Sequence, residues 1–597
     1  MKPEVKEKAM ETAPLVPARG RFDAIAMEVF TNRLLSITET MAISMMRSSF
    51  SPQIKERRDF SVGLFDRHGR LIAQGTHIPI QLGSLLGSVE AVIERYTLSG
   101  ICVGDAYICN DPYAAGGTHL PDISIVTPIY LDSSLVGFAA NIGHHSDVGG
   151  AIPGSSSAKA KSMFEEGLRL PIMRIVRDGV VDEDLINMIA LNSRLPDERM
   201  LDLRVQIATN EKGIANTTNL IRRMGIERFE KAIDDVLDYT ERRMTQAIAQ
   251  LPIERRAFTT YLDDDGGGDG DEVPLVATVY VENKKLVVDF EGTAQEARGG
   301  LNVAHSALRA TVYYCVKALL DNELMANSGM TRALIIRAPE GSIANPRPPA
   351  ACGARTITCQ RLAGAIFGAF RGLLARDAVI ASGNDTLTSI SFSGRRPSDG
   401  KIYVGGESMG GGSGARWDGD GMDAVHVHTT NSANLPTEVL ENEFPLLVEE
   451  YGLAINPGGA GLCRGGLGIA RQVRALYDGT IFSARSDSHK RGAAGIEGGS
   501  AGALGRIVRN PGRADEQILT SRVSHLVLKA GESVRIETPG GGGFGLPSER
   551  SVDALATDLR DDIVNRESAC QQYGDELTSR ALKQYELNPN RSKAVPY

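Results

Sequence analysis

No apolar run in this 597-residue chain is long enough to cross a bilayer, so no membrane-spanning helix is expected. Basic clusters are missing as well, and a net charge of −9 argues against nucleic acid as the main partner. The opening MKPEVKEKAMETAPLVPARG mixes charges with prolines and lacks the apolar stretch of a secretory signal. No glycine cluster ends in the GK[ST] of a phosphate loop, and none joins strand, GxGxxG and helix. The chain therefore carries no self-sufficient ATP or dinucleotide site. A nucleophile elbow is not expected, which leaves a serine-hydrolase triad unsupported. The seven cysteines are scattered, odd in number and without CxxC, which points to thiols in a reducing cytoplasm rather than disulfides or a zinc knuckle. Cys352 and Cys359 sit in apolar, strand-like contexts without a nearby histidine, a poor setting for a nucleophile.

What is present is ordinary for a globular enzyme: 42% hydrophobic and 23% charged residues. The length predicts two to four domains. The 65 glycines gather late in the chain, interleaved with apolar runs, and predict tight turns and backbone-lined surfaces. The expected class is α+β, multidomain, with mixed and antiparallel sheets, glycine-rich turns and long peripheral helices. Residues 1–20 read as a flexible tail, 21–260 as an N-terminal α/β region, 261–546 as a glycine-rich β region, and 547–597 as a helical tail. Ile25, Val29, Phe30, Leu34, Ile37, Met41 and Met45 have helical spacing. The charged run Lys55 to Asp59 reads as a solvated face, although Asp59 falls where helix gives way to strand and could enter a cleft. Asp263 to Glu272 is calcium-like in composition but lacks EF-hand spacing and reads as a loop. Strands alternating with glycine turns are expected over 333–480.

Chemistry concentrates between Asn110 and Pro153. Two polar clusters, one with His119 and Asp122, the other with His144, His145 and Asp147, flank apolar runs at 123–130 and 135–140. Antiparallel pairing of those runs would bring the clusters together. Imidazole with carboxylate suits a divalent ion such as Zn or Mn. The competing reading is of solvated caps and turn residues.

Seven ordered motifs resemble the hydantoinase B / 5-oxoprolinase C-terminal family. They are KERRDFSVGLFD (55–66), NDPYAAGGTHLPDI (110–123), NIGHHSDVGGAIPGS (141–155), VVDFEGTAQEARGGLN (287–302), NLPTEVLE (434–441), GGAGLCRGGLG (458–468) and TPGGGGFG (538–545). The resemblance implies the metal-bearing B-type subunit of an ATP-dependent cyclic-amide hydrolase, acting on a hydantoin, oxoproline or lactam ring. It implies a hetero-oligomer whose hydantoinase A-type partner binds ATP and phosphorylates the substrate. The alternative is a subunit of an ATP-dependent ketone carboxylase of the acetone or acetophenone type; a catalytically silent structural partner is a third reading. Carried over by motif, the metal ligands would be Asp59, His119, Asp122 and His144. His145 and Asp147 follow as catalytic candidates, with Asp147 the expected proton acceptor. One departure concerns His77-Ile-Pro-Ile-Gln81-Leu-Gly83: many members have histidine where this chain has Gln81.

Overall fold

The computed structural model describes residues 24–75, 77–268, 270–455 and 458–587. The expected tail at 1–20 lies outside them. The chain is α+β, and its described residues are built on four sheets.

Helix α1 (Ala24–Ser48) buries Phe30, Leu34, Ile37, Met41 and Met45, whereas Ile25, counted in the same stripe, is 77% exposed. A short helix α2 (Pro52–Lys55) leads into β1 (Phe60–Asp66), β2 (Leu71–Gln74), α3 (Pro79–Gly100), β3 (Ala106–Cys109), β4 (Asp122–Leu131), β5 (Ser134–His144), β6 (Met173–Arg177) and β7 (Val180–Val181). These strands form one antiparallel sheet in the order β2-β1-β5-β4-β3-β6-β7. Helices α4 (Glu183–Leu191), α5 (Pro196–Met224) and α6 (Ile226–Ala249) follow.

Side-chain alternation assigns the two faces of this sheet to different cores. Val62, Leu64 and Ala139 pack with α1 and α6, whereas Phe65, Phe138, Ala140 and Ile142 join the cluster containing α3. Both faces are covered, which is why β1 is buried at every position.

Strands β8 (Arg256–Leu262), β9 (Val273–Glu282), β10 (Lys285–Asp289) and β11 (Leu334–Arg337) make a mixed sheet in which only β10 and β11 run parallel. It packs with α7 (His305–Leu320), while α8 (Ser328–Thr331) is a single turn. Then comes α9 (Arg355–Phe370), a helix inside the stretch expected to hold strands; Cys359 is buried on it and Cys352 precedes it. The largest core cluster draws on residues from Phe65 to Leu373, on both sides of residue 260.

The last two sheets share one core. They are β12 (Thr388–Arg395) and β13 (Ile402–Met409) with β16 and β19, and β14 (Leu446–Leu453) and β15 (Ile469–Ala475) with β17, β18 and β20. Here β16 is Thr480–Arg485, β17 Arg506–Arg509, β18 Gln517–Leu519, β19 Arg522–Leu528 and β20 Ser533–Glu537; helix α10 (Thr437–Glu443) precedes β14. Helices α11 (Val552–Arg560), α12 (Arg566–Tyr573) and α13 (Asp575–Leu587) close the described chain.

Most of the late glycines are not turn residues. Extended segments around 410–414, 458–468, 492–505 and 538–545 lie side by side, joined by backbone bonds such as Gly412 N–H to Pro539 O, Gly541 N–H to Gly466 O and Gly543 N–H to Ser500 O. A Cβ on Gly412 would collide with the Gly466 carbonyl, and one on Gly541 with the Ser413 carbonyl. Glycine is needed there for close approach of backbones.

Candidate metal centre

Adjacent strands deliver the candidate ligands. Asp122 opens β4, His144 closes β5, and the antiparallel register sets them opposite each other. Asp59 precedes β1, the neighbour of β5 on the other side, and its carbonyl accepts from His144 N–H at 2.9 Å. His119 arrives from the turn before β4, where its carbonyl accepts from Asp122 N–H at 3.1 Å. Ligand atoms of His119, Asp122 and His144 all lie within 4.8 Å of one another, and all three residues are buried or nearly so. The Asp59 carboxylate borders this group without belonging to it. It accepts from Gln81 Nε2 at 2.9 Å and lies 3.9 Å from the Arg57 guanidinium.

The orphaned atoms are a direct test of whether these residues fit a cation. His119 Nε2 and Asp122 Oδ1 are buried with no hydrogen-bond partner. Buried acceptors left this way are rare and costly, and a divalent ion satisfies both. The surroundings favour ligation. His119 Nδ1 lies 3.3 Å from the Gly353 carbonyl, which can only accept, and Nε2 lies 3.4 Å from Asp122 Oδ2; a ring proton on Nδ1 leaves the Nε2 lone pair for a cation held with that carboxylate. Burial, reinforced by Arg355, lowers the His119 pKa to about 4, so the ring is neutral at physiological pH. His144 is lowered by burial and by His119. Burial alone would raise Asp122, but His119 and Arg355 outweigh it and hold the carboxylate well below the usual range. Burial pushes Asp59 up to about 6 despite Arg57 beside it.

Other polar groups hold these residues in place. Asp122 Oδ2 accepts from Thr118 Oγ1 and from Arg355 Nη2, both at 2.7 Å; Arg355 is the first residue of α9. Gln53 Nε2 lies 3.3 Å from His144 Nδ1, and Arg57 Nη1 donates to Gln53 Oε1 at 2.6 Å. Arg57 belongs to the run expected as a solvated face, yet it is 2% exposed. Glu166 accepts the N–H groups of Cys352 (3.1 Å) and Gly353 (2.5 Å), fixing the turn whose carbonyl meets His119.

His145 and Asp147 are placed differently. Strand alternation turns His145 away from His144, and its Nε2 lies 2.9 Å from Gln206 Oε1 on α5. Asp147 already accepts four donors. Gly149 N–H and Arg194 N–H reach Oδ1 at 3.0 and 2.9 Å, while Gly154 N–H and Arg194 Nη1 reach Oδ2 at 3.0 and 2.9 Å.

Asp59 and His144 open onto a small cleft of about 60 Å³ between the first sheet and the face of β12, β13 and β16. Arg57, Arg485 and several serines line it. Sequence reasoning missed Gln53, Arg355, Glu166 and Arg485. The alternation Ser389-Ile-Ser-Phe-Ser393 was a legible signal for a polar sheet face. Residues 406–410 and 498–502 spell GxSxG as strings, but Ser408 lies within β13 and Ser500 outside any helix or strand. Neither is the strand-to-helix turn of a nucleophile elbow.

The α+β architecture places the chain among proteins of one solved fold. The ATP-dependent caprolactamase of Pseudomonas jessenii superposes with a TM-score of 0.86 at 25% identity, covering 95% of this chain and 99% of that one. An acetone carboxylase chain in its nucleotide-free structure gives 0.84 at 18% identity over 95% and 84%, a likeness of fold alone. The chain belongs to the hydantoinase B/oxoprolinase family, whose sequence profile matches residues 23–547. An uncharacterized protein of Methanocaldococcus jannaschii is 35% identical, over 92% of this chain and 96% of its own length. The B-type subunit of a putative D-/L-hydantoinase from Pseudomonas sp. (strain NS671) is 29% identical over 95% and 97%. The 5-oxoprolinase of Dictyostelium discoideum is 32% identical over 90% of this chain, which spans 41% of that longer protein. Among the described residues, no helix is long and apolar enough to cross a membrane.

Proposed function

We propose that this chain is the metal-bearing subunit of an ATP-dependent cyclic-amide hydrolase. It would open a hydantoin, oxoproline or lactam ring that an A-type partner has phosphorylated, in a cytoplasmic hetero-oligomer. The observation that carries the reading is the buried His119–Asp122–His144 cluster, which meets a cleft through His144 and has two acceptor atoms lacking hydrogen-bond partners. Likeness to a caprolactamase and to a hydantoinase subunit supports the choice of amide substrates. The seven cysteines, none in a disulfide, suit the cytoplasm.

In this proposal His119, Asp122 and His144 hold a Zn or Mn ion, with Asp59 as fourth ligand. A divalent ion there would acidify water and polarise the oxygen under attack. Gln81 and Arg57 orient Asp59, and the Gly353 carbonyl fixes the His119 tautomer. Asp147 and His145, the expected catalytic pair, act here as positioning residues. The contacts of Asp147 hold the 148–154 loop over the cleft, and His145 ties β5 to α5.

The test is co-expression with the A-type partner, following ATP-dependent loss of a hydantoin or lactam. Bicarbonate-dependent consumption of acetone or acetophenone without amide hydrolysis would overturn the hydrolase reading. Metal analysis tests the ligands separately: the assignment fails if wild type and a His119→Ala/His144→Ala variant hold equally little metal.

A further inference from the structure

The wall of the cleft facing the metal cluster is a β-sheet face with almost no side-chain bulk. Two cross-strand rows run over β13, β12 and β16: Gly406, Ser391 and Ser483 in one, Ser408, Ser389 and Arg485 in the next. All six residues line the cleft. Their neighbours Ile390, Phe392 and Phe482 point the other way into the core shared by the last two sheets. Serine and glycine on a central strand forgo the packing that stabilises sheets, and they let a ligand approach the backbone closely.

Arg485 is the one large residue in these rows. It donates to main-chain carbonyls, those of Ser156 (2.9 Å) and Gly353 (3.2 Å), rather than to a carboxylate. Burial, then repulsion from Arg355 and Arg57, lowers its pKa to about 9; Asp59 and Glu166 act on it only through space. Arg57 reaches the same rows from the opposite wall, donating to the Gly406 carbonyl (3.1 Å) and to Ser408 Oγ (2.8 Å). Ser156 Oγ, at the rim, is buried without a partner. Arg57, Arg355 and Arg485 meet Asp59, Asp122 and Glu166 here; Arg57 lies beside Asp59 and Arg355 is paired with Asp122, which leaves Arg485 as the buried cation with no carboxylate of the described residues in salt-bridge reach. Buried cations are paired in stable proteins, so this cleft is built to receive an anion.

We propose that Arg485 and Arg57, with the hydroxyls of Ser156, Ser389 and Ser391, form an oxyanion subsite that holds a phosphoryl group beside the metal cluster. Arginine forks and hydroxyls match phosphoryl oxygens in geometry and charge. The phosphoryl group belongs either to the activated substrate or to the phosphate it releases. This assignment rests on the functional reading above for its choice of phosphoryl chemistry, and its test reads binding, not turnover.

Inorganic phosphate and phenyl phosphate are titrated calorimetrically into the full chain, metal-free and metal-loaded. Binding of either one supports the subsite: tighter binding of the ester points to the activated substrate, equal binding to released phosphate. Arg485→Gln should weaken binding about tenfold or more. Ser391→Asp, which adds a like charge to an open face and spares the core, should abolish it even if Arg485→Gln fails to fold. Absence of binding by either probe, or binding unchanged in the two variants, would overturn the proposal. The His119→Ala/His144→Ala variant separates the readings: phosphate binding kept there, with metal content unchanged from wild type, would sink the metal assignment and leave the subsite standing.

Discussion

Asp122 and His144 stand directly opposite each other, the first residue of β4 against the last of β5. A slip of one residue would present His145 instead, whose ring is held by Gln206 on the far side. The two neighbouring histidines should therefore respond differently to replacement. His144→Ala is expected to lose bound metal while folding normally. His145→Ala should keep its metal but lose about 2–4 kcal/mol of stability, through a cavity and an unpaired Gln206. Metal analysis beside denaturant melts separates the two, and loss of metal from His145→Ala alone would contradict the register argument.

Gln81 stands where the family resemblance leads one to expect histidine, and its amide donates to Asp59. Removing the donor with Gln81→Leu should lower metal affinity about 10- to 100-fold, as loss of such outer partners commonly does. Gln81→His, which restores an N–H donor, should stay within a few-fold of wild type. Competition with a chromogenic chelator measures both. Equal affinity in Gln81→Leu would mean that Asp59 takes no part in binding.

Burial, against the two N–H groups it accepts, pushes Glu166 up to about 7 from 4.5. Because the folded-state value is the higher one, the unfolded chain releases this proton first. The contribution is full below pH 4.5 and is lost as pH rises through 7. Glu166→Gln should be less stable than wild type throughout, since one amide cannot accept both N–H groups well. The gap should narrow as pH rises across that window, and urea melts over it give the trend. A widening gap would be inconsistent with a raised Glu166.

Asp147 offers a choice between proton transfer and loop clamping. As a clamp, Asp147→Asn should leave metal content and the shape of the pH–rate profile unchanged. Hydrogen exchange at 149–154 should rise, because the contacts to Gly154 and Arg194 weaken. A displaced basic or acidic limb of the profile would instead mark Asp147 as a proton acceptor.

The glycine layer tolerates no side chains. Gly541→Ala would drive a methyl group into the Ser413 carbonyl, with backbone on both sides and nothing to rotate away. Destabilisation above about 4 kcal/mol and loss of soluble protein are expected. Gly479→Ala, at a surface turn where a Cβ meets nothing, is the matched control. Its positive φ of 85° should cost only about 1–2 kcal/mol.

Much of the first sheet was legible because its signals are local. The 123–130 and 135–140 runs are apolar, four turn residues separate them, and they pair as β4 and β5. The extent of α1 followed from helical spacing, although that spacing could not say that Ile25 would face solvent. Helix α9 was hidden among glycines and short apolar runs, where period-2 and period-3.6 patterns are both too short to separate. The glycine segments read as turns because the partner that demands glycine lies elsewhere in the chain, as Ser413 does for Gly541.

The same division runs through the candidate site. That His119 and Asp122 meet the 144–147 cluster across one hairpin can be read from the residues alone, because strand pairing over a short connection is a local event; the choice of His144 over His145 as a candidate ligand comes from the family resemblance. Their surroundings depend on long-range packing. Arg355, Glu166 and Arg485 reach the cluster from distant elements, and Arg57 turns inward from a run that reads as solvated. No local pattern encodes such contacts, since burial and charge pairing arise only when the β12–β13–β16 face closes over the ends of β1, β4 and β5.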